Sequence, residues 1–310
     1  MSEIPGPIPE TIISSEPESR FGDKSHIIEV MRSGEPHELG SIDTLYPDEI
    51  ASHTNIVEIV RLFEEKYSGR DRSNNITEPV MIHYGAESPL LCIFKPYDGE
   101  NESTKSHHSI PSYYPREVAG YAVSEHFKFD LVPPTTIREI GGRIGALQMF
   151  MEPPEYISGE KFFDDATDEE WDRIKASEDF SAMAALDYLL GNTDRKDANY
   201  LLQVDEKRRL KIAENGQPQM VAIDHGLTLD TVTFGAVEIM GPLLGLTFDT
   251  QQQLPLKNEL PKNLTEKLQD GSLRRADLDL SFLRDIPEHQ IVDMWKRLNN
   301  LLTTGHFLSP

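Results

Sequence analysis

Between Leu189 and Leu202 the chain reads Leu-Leu-Gly-Asn-Thr-Asp-Arg-Lys-Asp-Ala-Asn-Tyr-Leu-Leu, and farther on it reads Val221-Ala222-Ile223-Asp224-His225-Gly226. Phe180, Met183, Ala184, Leu186, Asp187 and Leu190 mark a helix that Gly191 stops, and Leu201 to Val204 resumes as an apolar strand. Asn192 to Asn199 is therefore a polar loop fastened at both ends to buried elements. A second apolar strand, Met220 to Ile223, delivers Asp224. Phosphoryl transfer uses parts of this kind: Asp194 can orient an attacking hydroxyl while Asn199 and Asp224 hold magnesium ions on a nucleotide's phosphates.

At 310 residues the chain can bury one large core or two modest ones, and two lobes sharing a cleft is a natural use of that length. Asp plus Glu outnumber Lys plus Arg by 53 to 30, a formal net charge of −23. That balance disfavours nucleic acid or an anionic membrane surface as a main partner. Cys92 is the single cysteine, so no intrachain disulfide is available and a reducing, cytoplasmic setting is expected. No apolar run approaches the ~18 residues of a membrane span.

Residues 1–50 are rich in Pro, Glu, Ser and Gly and are expected to form a flexible or loosely packed extension. Ile56, Ile59, Val60, Phe63 and Tyr67 repeat at helical spacing. Val80 to Tyr84 and Leu90 to Phe94 read as strands, the second ending at Lys95-Pro96 where proline cannot continue a central strand. Alone, Lys95 reads as a lysine snorkelling from an edge strand. Pro115 opens a helix that carries Glu117 in its first turn. Thr135 to Glu139 and Ile144 to Met151 flank Gly141-Gly142 as a hairpin, running out through Met149-Phe150-Met151 to a proline exit that can serve as a hinge. The acidic run from Ser158 to Glu178 reads as a solvated helical face. Leu201 to Val204 and Leu210 to Ile212 read as a hairpin around a charged turn, and helices are expected near Leu264 to Leu268 and Pro287 to Leu302.

Ile93-Phe94-Lys95-Pro96, Arg116-Glu117-Val118-Ala119-Gly120-Tyr121, Gly145-Ala146-Leu147-Gln148-Met149-Phe150 and the two loops described first stand in one order. Together they resemble the phosphatidylinositol 3-/4-kinase-like branch of the kinase superfamily, closest to its small bacterial members, over about residues 73–230. The resemblance implies an α+β, bilobal protein kinase-like fold. Its mainly β N-lobe would fall within 51–150 and its mainly α C-lobe within 151–310. It makes Lys95 the phosphate lysine with Glu117 as its ion-pair partner, Asp194 the catalytic acid/base, and Asn199 and Asp224 the metal ligands. It sets Ser73, Asn74 and Asn75 where the family has its phosphate loop, without that loop's usual glycines, and Gln148, Met149 and Met151 beside the adenine. Lys196 takes a catalytic-loop position where lipid kinases of this branch usually have histidine, and His225 replaces the Phe of the usual Asp-Phe-Gly.

The expectation is thus an ATP- and Mg²⁺-dependent kinase acting on a hydroxyl acceptor. Gly226 to Leu256 contains no Lys or Arg. A polyphosphorylated inositol headgroup needs such cations, which leaves a protein hydroxyl, favoured, or an unphosphorylated phosphatidylinositol headgroup. A nucleotide-binding pseudokinase adaptor is the alternative from another class. A metal-dependent hydrolase built on Asp194, Asp197 and Asp224 is the weaker one.

Overall fold

The computed structural model describes residues 19–38, 76–86, 88–102, 105, 111–151, 155–229, 261–278, 280 and 286–305. The helix expected over 56–67 lies outside them, as do Ser73, Asn74 and Asn75. The N-lobe is an antiparallel sheet of five strands in the order β1-β2-β3-β5-β4. These are β1 (Glu35–Glu38), β2 (Glu78–His83), β3 (Leu90–Pro96), β4 (Thr135–Ile140) and β5 (Arg143–Met149). The β4–β5 hairpin pairs Ile140 with Arg143 across Gly141 and Gly142, which both take positive φ (58° and 80°) as a two-residue turn of matching twist requires.

Side chains alternate across the sheet. Val80, Ile82, Cys92, Phe94 and Leu147 face a helix, α1 (Lys24–Ser33), whose Val30 and Met31 complete a small buried core. The opposite face carries Lys95, in register with Ala146. Ala146 joins the larger core together with Val118, Ala119 and Val123 of α2 (Tyr114–His126).

Residues 19–38 thus correct the expectation of a loose extension, and the sheet begins well before residue 51. Glu35–Glu38 pairs with β2 in register Pro36↔Ile82, and proline is tolerated there because β1 lies at the sheet's edge. Ahead of α1, Arg20 donates to both carboxylate oxygens of Asp179 (2.6 and 3.0 Å) and to the Met220 carbonyl (2.7 Å), while Asp130 accepts from the Ser19 hydroxyl and the Arg20 N–H. Phe21 is buried with Met151 and Val221. The segment therefore fastens the loop after α2 to the C-lobe.

The C-lobe follows as β6 (Tyr156–Ser158), α3 (Gly159–Phe163), α4 (Asp168–Lys175), α5 (Glu178–Leu190), β7 (Tyr200–Gln203), β8 (Met220–Ala222), α6 (Lys262–Leu273) and α7 (Glu288–Thr304). Thr167 and Glu170 cap α4 reciprocally. Buried along nearly its whole length, α5 ends at Gly191 in the left-handed region (φ 64°). The expected hairpin from β7 to Leu210–Ile212 is reduced to isolated bridges, Val204↔Leu210 and Ile212↔Pro218. β7 instead lies between β6 and β8, because its buried residues find their ladder partners there rather than across the charged turn. No helix among the described residues is long and apolar enough to cross a membrane.

Phe21→Ala empties a buried aromatic site, and urea titration is expected to show a loss of about 3 kcal/mol. A loss under about 1 kcal/mol, the usual size of a surface substitution, would show that residues 19–23 lie outside the cooperative fold.

Candidate active site

Lys95, Glu117 and Asp224 are delivered by three different elements, and Asp194 and Lys196 together by the loop after α5. Lys95 is the penultimate residue of β3, and its ammonium lies 2.7 Å from Glu117 Oε1 and 3.4 Å from Asp224 Oδ1. Glu117 stands in the first turn of α2 and is almost fully buried; its Oε2 accepts the His225 N–H at 2.9 Å. Burial pushes the Glu117 carboxyl up, against the pull of Lys95 and with the help of Asp224. Burial acts upward on Asp224 too, but Lys95 and Lys196 outweigh it and hold that carboxyl below its ordinary value. Asp224 has a left-handed backbone (φ 61°), a conformation Asp tolerates better than most residues.

The loop after α5 brings in the second group. Asn199 Nδ2 donates to the Asp194 carbonyl (2.7 Å) and to Asp194 Oδ2 (3.0 Å), and Lys196 Nζ lies 3.0 Å from the same Oδ2. Because the Asn199 amide nitrogen is spent on Asp194, the carboxamide oxygen is the atom it has left to offer. The Ile223 N–H donates to the Asn199 carbonyl at 3.1 Å, so Asn199 and Asp224 stand on neighbouring segments of the β7–β8 pair. An amide oxygen and a carboxylate are hard donors of the kind Mg²⁺ takes. Asp197 is turned away from this group and accepts the Tyr200 hydroxyl at 2.8 Å. Among the described residues no group of three or more His, Cys, Asp or Glu could hold a metal.

At the hinge, Gln148 is buried and its amide donates to Thr135 Oγ1 at 2.9 Å. The Met149 N–H is taken by the Pro134 carbonyl and the Phe150 N–H by the Leu91 carbonyl. Met149 thus cannot offer a backbone donor to a ligand. Met151, next outward, is buried against Phe21 and Val221.

Several residues that organise the site carried no role in the sequence. Arg195, with no exposed surface, donates from Nε to Asp187 Oδ2 (2.9 Å) and from Nη2 to Asp187 Oδ1 (3.0 Å) and His225 Nε2 (2.9 Å). Its Nη1 donates to the Ile223 carbonyl (2.6 Å) and the Asn199 carbonyl. Since a guanidinium only donates, His225 Nε2 accepts and the ring's proton sits on Nδ1. Burial, and then the charges of Arg195 and Lys95, hold the imidazole well below its ordinary value, so it is neutral. Gly120 makes room for that ring: a Cβ there would lie 2.6 Å from the imidazole. Asn192 links the two halves, donating to Asp187 Oδ1 (2.8 Å) and accepting the Asp194 N–H (3.0 Å). The signal available was Asp187 itself, an acid inside the apolar half of its helix, which must be paired to be buried.

The family model described as phosphatidylinositol 3- and 4-kinase matches residues 56–272. The chain belongs to that family. Among solved structures, the crystal structure of the Golgi casein kinase with Mn/ADP bound aligns at a TM-score of 0.36 and 14% identity, covering 91% of this chain and 87% of that one. The Helicobacter pylori proinflammatory kinase CtkA aligns at 0.39 and 14% identity, covering 77% of this chain and 92% of that one. Both are distant likenesses. No curated protein matches the sequence.

Asp187→Ala leaves the Arg195 guanidinium buried beside no carboxylate and is expected to cost about 3–5 kcal/mol in urea titration. Asp98→Ala, which removes an exposed partner of Arg143, should cost less than about 1 kcal/mol. Equal losses would show that the buried pair is not what supports the loop.

Proposed function

We propose that the protein is an ATP- and Mg²⁺-dependent phosphotransferase that passes the γ-phosphate to a hydroxyl acceptor, and to a protein in preference to a polyphosphorylated inositol lipid. The observation that carries this reading is the convergence of Lys95, Glu117 and Asp224, from β3, α2 and the end of β8, within 3.4 Å of one ammonium. Membership of the kinase family supports it independently.

Lys95, steadied by Glu117, would meet the α and β phosphates, and the Asn199 carboxamide oxygen with the Asp224 carboxylate would hold Mg²⁺. When bound, Mg²⁺ neutralises phosphate charge as it shifts toward the leaving oxygen. Asp194 is oriented by Asn199 and Lys196 to accept the proton of the attacking hydroxyl. Lys196 is the cation nearest that carboxylate and would face the transferred phosphate. Met151 and the buried Gln148 would bound the adenine end, with Met149 contributing its side chain. Positioning and charge neutralisation then account for most of the catalysis.

The absence of Lys and Arg from Gly226 to Leu256 supports the choice against a polyphosphorylated headgroup. The family's description favours a second reading, transfer to an unphosphorylated phosphatidylinositol, whose headgroup would not need those cations. Labelled ATP offered separately to protein extract and to phosphatidylinositol vesicles distinguishes the two. Asp194→Ala is expected to lower transfer by about 10²–10⁴-fold while nucleotide binding persists. Asp224→Ala should remove the metal dependence of nucleotide binding. Transfer unaffected by both substitutions would overturn the assignment, and nucleotide binding with no transfer to any acceptor would make the chain a pseudokinase.

A further inference from the structure

A guanidinium has five N–H donors. Those of Arg195 face five acceptors: Asp187 Oδ2, Asp187 Oδ1, the Asn199 carbonyl, the Ile223 carbonyl and His225 Nε2. Three of these belong to residues the proposed function uses or adjoins, since Asn199 is one metal ligand and Ile223 immediately precedes the other. His225 immediately follows it. One planar group therefore grips the segment that enters β7 and the segment that leaves β8, which carry the ligands, and Asp187, with no exposed surface, neutralises it from α5. Lysine could not substitute: a single ammonium has three donors on one atom and cannot span Asp187, two carbonyls and a ring nitrogen in a plane.

The same count accounts for the residue at position 225. A phenyl ring there would offer that Nη2–H no acceptor, whereas the imidazole accepts it at Nε2 and keeps its own Nδ1 buried without a hydrogen-bond partner. An imidazole supplies the fifth acceptor, and Gly120 on α2 supplies the space for it.

We propose that Arg195 is a positioning residue for the divalent cation, fixing the separation of Asn199 and Asp224, and that His225 stands in place of Phe as the acceptor for its fifth N–H. This rests on the phosphotransferase reading. It extends that reading to Arg195 and His225, which are not among the residues proposed to hold the nucleotide, the metal or the acceptor. Outer-shell partners of this kind are worth about 10–100-fold in metal affinity.

The test is uptake of Mn²⁺ by the full chain in the presence of a non-hydrolysable ATP analogue, followed by the electron paramagnetic resonance of free Mn²⁺. Arg195→Lys is expected to raise the Mn²⁺ concentration for half-occupancy by about 10–100-fold, with metal-free binding of the analogue unchanged. His225→Phe should shift it in the same direction by less, and Arg195→Met with His225→Phe should be no worse than Arg195→Met alone. Arg138→Lys is the control, because that guanidinium also grips two carbonyls, Met31 and Gly34, but at the end of α1 away from the site. A wild-type Mn²⁺ requirement in Arg195→Lys overturns the inference, as does a loss that Arg138→Lys reproduces. Should Arg195→Lys not fold, His225→Phe decides: a raised requirement supports the inference and an unchanged one overturns it. A wild-type chain that takes up no Mn²⁺ with the analogue overturns the proposed function, and this inference with it.

Discussion

One ammonium shared by two carboxylates holds the two lobes in register. Lys95 reaches Glu117 on its own lobe and Asp224 on the other, and Glu117 closes the loop by accepting the His225 N–H. When all three are ionised the cluster carries one negative charge too many, in a setting where Glu117 is nearly dry. Burial first, and then Asp224, raises the Glu117 carboxyl, while Lys95 and Lys196 outweigh burial and lower that of Asp224. Such a cluster is a poor way to gain stability and a good way to receive a cation, since buried charges must be compensated by something.

Around it the polypeptide is irregular, and irregular backbone under cover has to place its carbonyls on donors. Buried arginines do that here. Arg195 holds the Asn199 and Ile223 carbonyls. Arg116, beside Glu117 on α2, holds those of Ser112 and Leu229 and reaches Gln290 of α7. Arg297 of α7 donates twice to the Leu189 carbonyl at the end of α5, where the helix dipole also favours a cation. Asp194 and Asp224 are thereby set on loops that have the rigidity of a core without its regular ladders.

Much of the scaffold was legible because local rules and packing agreed. Gly141-Gly142 fixed the β4–β5 hairpin, Pro115 opened α2, and Gly191 closed α5 in a left-handed turn. The grouping was legible by residue type: Lys95, Glu117 and Asp224 meet in one network, and Asp194 and Asn199 in another. Where non-local pairing decided, the local pattern misled. Pro36 reads as a break until β1 is seen to be an edge, and β7 found β6 and β8 rather than the strand just past its turn. The burial of Arg195 was not legible from the polar loop around it; only Asp187, set among leucines, pointed to a buried partner.

The proposed activity requires Lys95, Glu117 and Asp224 to form one site for a nucleotide and its metal. A double-mutant cycle on nucleotide affinity, with Lys95→Met, Asp224→Asn and their combination, measures this directly. Residues in contact are expected to be non-additive by about 1 kcal/mol or more, whereas additivity within about 0.5 kcal/mol would mean that the two side chains do not serve the same ligand.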